Sequence, residues 1–255
     1  MHTPLPFSEL LRLFGERSAD FRAAIAAAPD LEVRVPTCPD WTLSDLARHI
    51  GERRRCWAAT VAAGPDATGL VVPDDIPPMP SDRAELVAWL AEGAQQQIDA
   101  LAAAGPSAPC WTWWGDSQSP RTSGAVARHQ LQEISVHAYD AQLTVGPGKP
   151  LPSEVALDGV EEFQFTICAN TTPWPHRPAV LDYHATEGSS WRVTLGADGV
   201  RADRLDLPAS TPDVSVRGTA SDLQLFCYGR LELDALQVTG DVTVIDQLVA
   251  WDPSA

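Results

Sequence analysis

The chain has 255 residues, 44% of them hydrophobic and 20% charged, enough for one large domain or two small ones with buried cores. Thirty-four acidic against eighteen basic residues give a formal net charge of −16, which argues against a nucleic-acid-binding face and against docking on anionic membrane. No run approaches the roughly 18 apolar residues that a membrane-crossing helix requires.

The opening MHTPLPFSELLRLF lacks the basic-then-apolar order of a secretion leader. Five cysteines (Cys38, Cys56, Cys110, Cys168, Cys227) are odd in number and contain no C-x-x-C pair, so reduced thiols in a cytoplasm are expected.

Helical periodicity governs the first 145 residues. Phe7, Leu10, Leu11, Phe14, Phe21 and Ile25 form an apolar stripe, with Ser8 as an early cap and Pro29 ending the segment. Thr42 and Asp45 have capping-box spacing and open a second helix that carries Leu43, Leu46, Ile50, Trp57 and Val61 inward until Gly64-Pro65 stops it. After the Pro-rich stretch 72–80, a third helix is expected from about Ser81 to Ala104. The indole-dense loop Trp111–Gly115 follows, and a fourth helix is expected from Thr122-Ser123 to about Leu143. Four helices of similar length predict a four-helix bundle over residues 1–146.

Gly146–Pro150 reads as a linker. Beyond it the pattern predicts a helix over Ser153–Asn170, then strands at Ala179–Thr186, Trp191–Leu195, Val200–Leu205 and Asp213–Arg217, punctuated by Gly188, Gly199 and Pro208. Thr219 and Asp222 make another capping box before Leu223–Tyr228, and a last helix covers about Val242–Trp251. The expected fold is therefore α+β in two domains: the bundle, 1–146, and an antiparallel sheet with helices, 151–255.

The fourth helix carries the informative break. Its inward stripe runs through positions 126, 130, 133, 137 and 141, and two of these are Glu133 and His137, stacked one turn apart. Burying even a neutral polar group without a partner costs on the order of 2–7 kcal/mol, so both need one. His49, between Leu46 and Ile50, adds a third polar group near the stripe of the second helix. Two imidazoles and a carboxylate projecting inward from facing helices make a metal site with an open position, suited to zinc or another divalent metal such as iron(II). The plainer alternative is a buried Glu–His hydrogen bond with His49 satisfied in the core. His129, one turn before Glu133, is either a fourth ligand or a partly exposed histidine; Asp140 either orients an imidazole or solvates its turn.

Three stretches carry a family resemblance. Residues 35–51, VPTCPDWTLSDLARHIG, resemble the signature VPxCPxWTxxDLxxHxG of the mycothiol-dependent maleylpyruvate isomerase family, a branch of the DinB/YfiT-like metal-binding bundles. Residues 128–140, RHQLQEISVHAYD, are similar to its RRxxHExxVHRxD motif, with Gln132 and Ala138 departing from the usual His and Arg. Residues 213–248, opening DVSVRGTASDLQLFCYGRLELDALQVTGD, resemble its second domain, which is similar to sterol-carrier-type α+β folds.

The resemblance implies zinc held by His49, Glu133 and His137, mycothiol as a thiol cosubstrate, and a small electrophilic substrate. It also implies an anion contact at Arg230, in the Gly229-Arg230 pair; Arg53 and Arg54 on the second helix are lesser candidates, and the plainer reading of all three is a solvated or surface-paired arginine. The expected activity is isomerisation or S-transfer. A metal-dependent hydrolase of thiol conjugates and a non-catalytic ligand-binding or regulatory protein with a structural metal are the competing readings. Cys38 reads as structural, the Trp111–Trp114 cluster as either core or cleft lining, and the bundle is compatible with a monomer.

Overall fold

The computed structural model describes residues 4–205 and 210–253, so Pro208 lies outside the described residues. The chain forms two compact units, residues 5–113 with 121–151, and residues 114–120 with 152 onward.

The first unit holds four long helices. Helix α1 (Phe7–Ala27) ends where the chain turns extended at Ala28, because a residue preceding proline disfavours helical ψ. Ser8 lies inside α1 and makes no cap; Pro6 occupies the cap position. A two-stranded hairpin that periodicity does not announce comes next, β1 (Arg34–Val35) antiparallel to β2 (Cys38–Thr42). Helix α2 (Leu43–Ala63) starts on the expected capping box: Thr42 Oγ1 accepts from Asp45 N, and Asp45 accepts from Thr42 N. Gly64, with φ of 63°, closes it.

Helix α3 (Arg83–Ala104) is capped by Asp82 and helix α4 (Ser123–Gln142) by Thr122. Helix α1 packs against α3 and α4, and α2 packs against α3. Leu13, Phe14 and Phe21 of α1, Leu43 and Leu46 of α2, Leu86 and Leu101 of α3, and Leu131 and Ile134 of α4 are fully enclosed. Burial of one such side chain is worth about 1.5–3 kcal/mol, which makes this stripe-on-stripe contact the main source of bundle stability.

The second unit opens with α5 (Ser153–Glu162), which runs into a π-helical turn over Phe163–Cys168 instead of continuing as α-helix to Asn170. Strands β3 (Ala179–Ala185), β4 (Ser190–Gly196) and β5 (Gly199–Arg204) form an antiparallel meander. Strand β6 (Val214–Gly218) returns to the other side of β3 and pairs with it in parallel. An additional short strand, β7 (Gln237–Gly240), completes the order β5-β4-β3-β6-β7.

The sheet is thus antiparallel except at β3–β6, where the expected all-antiparallel pairing fails because β6 closes a crossover and not a hairpin. Helices α6 (Ala220–Cys227), capped by Thr219, and α7 (Thr243–Ala250) follow; α5 and α6 pack together, and α6 and α7 both approach β3. Among the described residues no helix is long and apolar enough to cross a membrane.

Gly51 sets how closely α2 approaches α3. A Cβ built at this position falls within the Trp89 ring, which has no room to retreat because it is itself buried. Gly51→Ala is therefore expected to cost about 1–3 kcal/mol by overpacking and to lower the melting temperature by about 2–4 °C per kcal/mol. A thermal melt indistinguishable from wild type would contradict this packing.

Candidate metal centre

Helix α2 delivers His49 two turns after its Thr42 cap, and α4 delivers Glu133 and His137 one turn apart on the same face. The structure brings all three together: one ligand-type atom from each lies within 4.8 Å of the others. His49 Nε2 is 3.3 Å from Glu133 Oε1, and the two imidazole rings meet edge to face at 5.4 Å. All three side chains are half-buried.

Each member is held from behind. His137 Nδ1 lies 2.9 Å from Asp140 Oδ2, and the Asp140 carboxylate is fully buried. Asp140 also accepts from Thr37 Oγ1 (2.6 Å) and from the Cys38 thiol (3.8 Å). An imidazole that donates Nδ1–H to a carboxylate keeps its Nε2 lone pair for a ligand. Asp140 therefore orients an imidazole, the first of its two sequence readings, and Cys38 is a supporting group in that contact. Trp41 of β2 lies over both histidines, with its ring 4.9 Å from His49 and 6.5 Å from His137.

Glu133 is tied on its other oxygen, Oε2, which accepts from Gln130 Nε2 at 2.7 Å. Gln130 in turn accepts from Arg54 Nη1 at 2.7 Å. Burial alone would raise the Glu133 carboxyl; the His49 hydrogen bond and the charges of Arg54, His137 and His129 outweigh it and hold the group well below the ordinary carboxylate range. Burial draws the Arg54 guanidinium down to about 10, against the pull of Glu133, so both groups are ionised at neutral pH.

The other expected residues fall elsewhere. His129 is not in the cluster; its ring meets the edge of Trp113 at 5.6 Å. Arg54 is a core residue, 1% exposed, and not the solvated arginine of its plainer reading, because position 54 points between helices toward Gln97 and Gln130. Arg53 is exposed and, with Arg48, Trp41 and His49, borders a cleft of about 610 Å³ whose acidic wall includes Asp45 and Glu52. Arg230 belongs to the second unit, where its Nη1 donates to Tyr228 O at 2.6 Å. The indole loop divides: Trp111 packs on Trp57, Trp114 is buried and Trp113 is half exposed. None of the five cysteines is joined in a disulfide.

Gln130 and Thr37 are supporting residues that sequence reasoning missed, and Arg54, expected as a lesser helper on substrate, instead supports Gln130 from the core. For Gln130 a signal existed: position 130 lies on the same inward stripe as Glu133 and His137, and a polar residue there needs a partner as much as they do.

Fold and site define a class: a helical bundle with an internal two-histidine, one-carboxylate cluster, followed along the chain by an α+β unit. Residues 11–142 match the mycothiol maleylpyruvate isomerase N-terminal domain, and residues 154–247 match the C-terminal domain of the same family. The chain belongs to the mycothiol maleylpyruvate isomerase family. A crystal structure titled as the mycothiol-dependent maleylpyruvate isomerase is similar at 14% identity and a TM-score of 0.60, covering 93% of this chain and 95% of that one. A histidine-to-alanine mutant of the mycothiol-dependent maleylpyruvate isomerase matches over the same shares with a TM-score of 0.59. At this identity the likeness is one of fold. A search of curated proteins finds no match.

The depressed Glu133 carboxyl has a consequence for metal-free protein. A carboxyl whose folded pKa lies below its unfolded value adds stability that is complete above about pH 4.3 and is lost as pH falls toward the folded value. Chelator-treated wild type should therefore lose more stability between pH 5 and pH 3 than Glu133→Gln, in paired denaturant titrations. Parallel pH profiles would show that the carboxylate is not held ionised by its neighbours.

Proposed function

We propose that His49, Glu133 and His137 bind a divalent metal, zinc in our reading, and that the protein is a thiol-dependent isomerase or S-transferase acting on a small electrophile, with mycothiol as cosubstrate. The observation that carries the reading is the convergence of two imidazoles and one ionised carboxylate within 4.8 Å beside a cleft that His49 borders. The donor set fits: two neutral nitrogens and one carboxylate oxygen are ligands for zinc, and three protein ligands leave a position for an exogenous group. When bound, zinc stabilises the thiolate form of a coordinated thiol near neutral pH.

The chain's own contributions follow from the geometry. Asp140 keeps His137 in the tautomer that presents Nε2, and Gln130 holds Glu133 by its second oxygen. Trp41 packs against both imidazoles from β2. In the proposed reaction a thiolate sulfur bonds to an alkene carbon conjugated to a carbonyl, and the π electrons move onto the carbonyl oxygen as an enolate. Rotation about the new single bond and return of those electrons expel the thiolate and leave the trans alkene. Arg230, assigned on the Gly-Arg pair of the family motif, is our candidate to stabilise the enolate or a substrate carboxylate. We place the protein in the cytoplasm with its thiols reduced.

Metal analysis of purified protein is expected to find a single zinc per chain, and His49→Ala or His137→Ala to abolish it. Thiol-dependent cis–trans isomerisation of unsaturated diacids should fall by more than about 100-fold in both variants, beyond the range of an outer-shell change. Arg230→Ala should retain zinc and lose about 100-fold in kcat/KM. Full zinc occupancy in His49→Ala would overturn the assignment.

A further inference from the structure

We infer that Arg54 and Gln130 form a positioning relay that commits Glu133 Oε2 to the protein and so leaves Oε1 turned toward His49 and His137. The inference rests on the metal reading of the cluster and adds to it the residues that set how the carboxylate is presented.

The amide of Gln130 has its orientation fixed from behind. Its Oε1 accepts from Arg54 Nη1 at 2.7 Å and from Gln97 Nε2 at 3.1 Å, while Arg54 Nη1 also donates to Gln97 Oε1 at 3.2 Å. Reversing the amide would set its NH₂ against two donors and its oxygen against a carboxylate, losing three hydrogen bonds together. With Oε1 filled, Nε2 faces Glu133 Oε2 at 2.7 Å. The other carboxylate oxygen is the one beside His49. Arg54, Gln97 and Gln130 are 1%, 0% and 0% exposed, so no solvent competes for these bonds.

Arg54 is an expensive way to fill a core. Its guanidinium lies 4.5 Å from the centroid of the Phe14 ring, and its Nε and Nη2 make no hydrogen bond among the described residues. A buried cation and anion replaced together by well-packed apolar residues often leave stability unchanged or raise it. Stability alone therefore does not account for a cation here. Its shortest contact, to Gln130, and its charge near Glu133 do account for it.

The test separates positioning from packing by reading metal binding and folding independently. Gln130→Met keeps side-chain length, Arg54→Met keeps the unbranched apolar stem, and both remove the relay. Zinc affinity is measured by competition with a chromophoric chelator, the cobalt(II) visible spectrum reports coordination, and metal-free melting reports the fold. Each variant is expected to bind zinc about 10–100-fold more weakly and to show altered cobalt bands, because the Glu133 carboxylate is no longer held with Oε1 toward the two histidines. Metal-free Arg54→Met should still unfold cooperatively but melt below the wild type, because Glu133 keeps its charge and loses the nearby cation, so zinc affinity is compared on the folded variant. The double variant should lose little more than Gln130→Met alone, as expected of two links in one chain.

Either single variant suffices if the other does not fold, since Gln130→Met leaves Arg54 its bond to Gln97. Wild-type zinc affinity and cobalt bands in both variants, with zinc binding lost in Glu133→Gln, would overturn the relay and leave the metal site standing. Retention of zinc by Glu133→Gln and His49→Ala as well would remove the metal reading itself and the relay with it.

Discussion

An ionised carboxylate inside a helical bundle is the constraint around which the first unit is arranged. Taking such a charge from water costs several kcal/mol unless partners replace the lost hydration. Glu133 obtains its partners from two helices directly, His49 on α2 and Gln130 on α4, and from a third through Gln97 on α3, which helps hold Gln130. Arg54 faces the same problem with the opposite sign. The two charges do not touch; the Gln130 amide stands between them, accepting from the cation and donating to the anion. That spacing matters chemically. A guanidinium bound directly to Glu133 would occupy the oxygens a metal needs, whereas an amide supplies orientation and leaves most of the negative charge to the cluster.

Much of this was legible in the sequence because helices write their inward face every three to four residues. The stripe on α4 isolates Glu133 and His137, the stripe on α2 isolates His49, and the Thr42–Asp45 box fixes where α2 begins. What escaped depends on contacts between segments far apart in the chain. Arg54 neighbours exposed Arg53 in sequence, and only the position of α3 and α4 makes one a core residue and the other a solvent-facing one. In the second unit the parallel β3–β6 pair has the same local alternation as an antiparallel one, so direction is invisible until the crossover is seen. Strand β7 is four residues long and largely exposed, which leaves almost no apolar period to detect.

The family signature at residues 35–51 acquires a physical reading from the fold, and it is a reading about geometry rather than about a peptide sequence. Thr37 and Cys38 reach Asp140, whose carboxylate sets the tautomer of His137. Trp41 packs on both imidazoles. Thr42 caps α2, which brings His49 to the same place after two turns. Cys38, although a thiol close to the cluster, directs its Sγ to Asp140, the same carboxylate that meets His137.

The same stretch explains why a hairpin whose strands are only two and five residues long sits beside the bundle. Strand β2 ends where α2 begins, so the cap that starts the helix and the strand that carries Trp41 are one continuous segment. Leu43 N and Ser44 N donate back to Val33 O and Leu31 O, which pins the start of α2 to the chain entering the hairpin. Moving β2 would therefore shift Trp41, the Thr37–Asp140 contact and the first turn of α2 together. His49 and His137, delivered by different helices, are thus registered to each other through one short hairpin, with Asp140 as the point where α4 joins it.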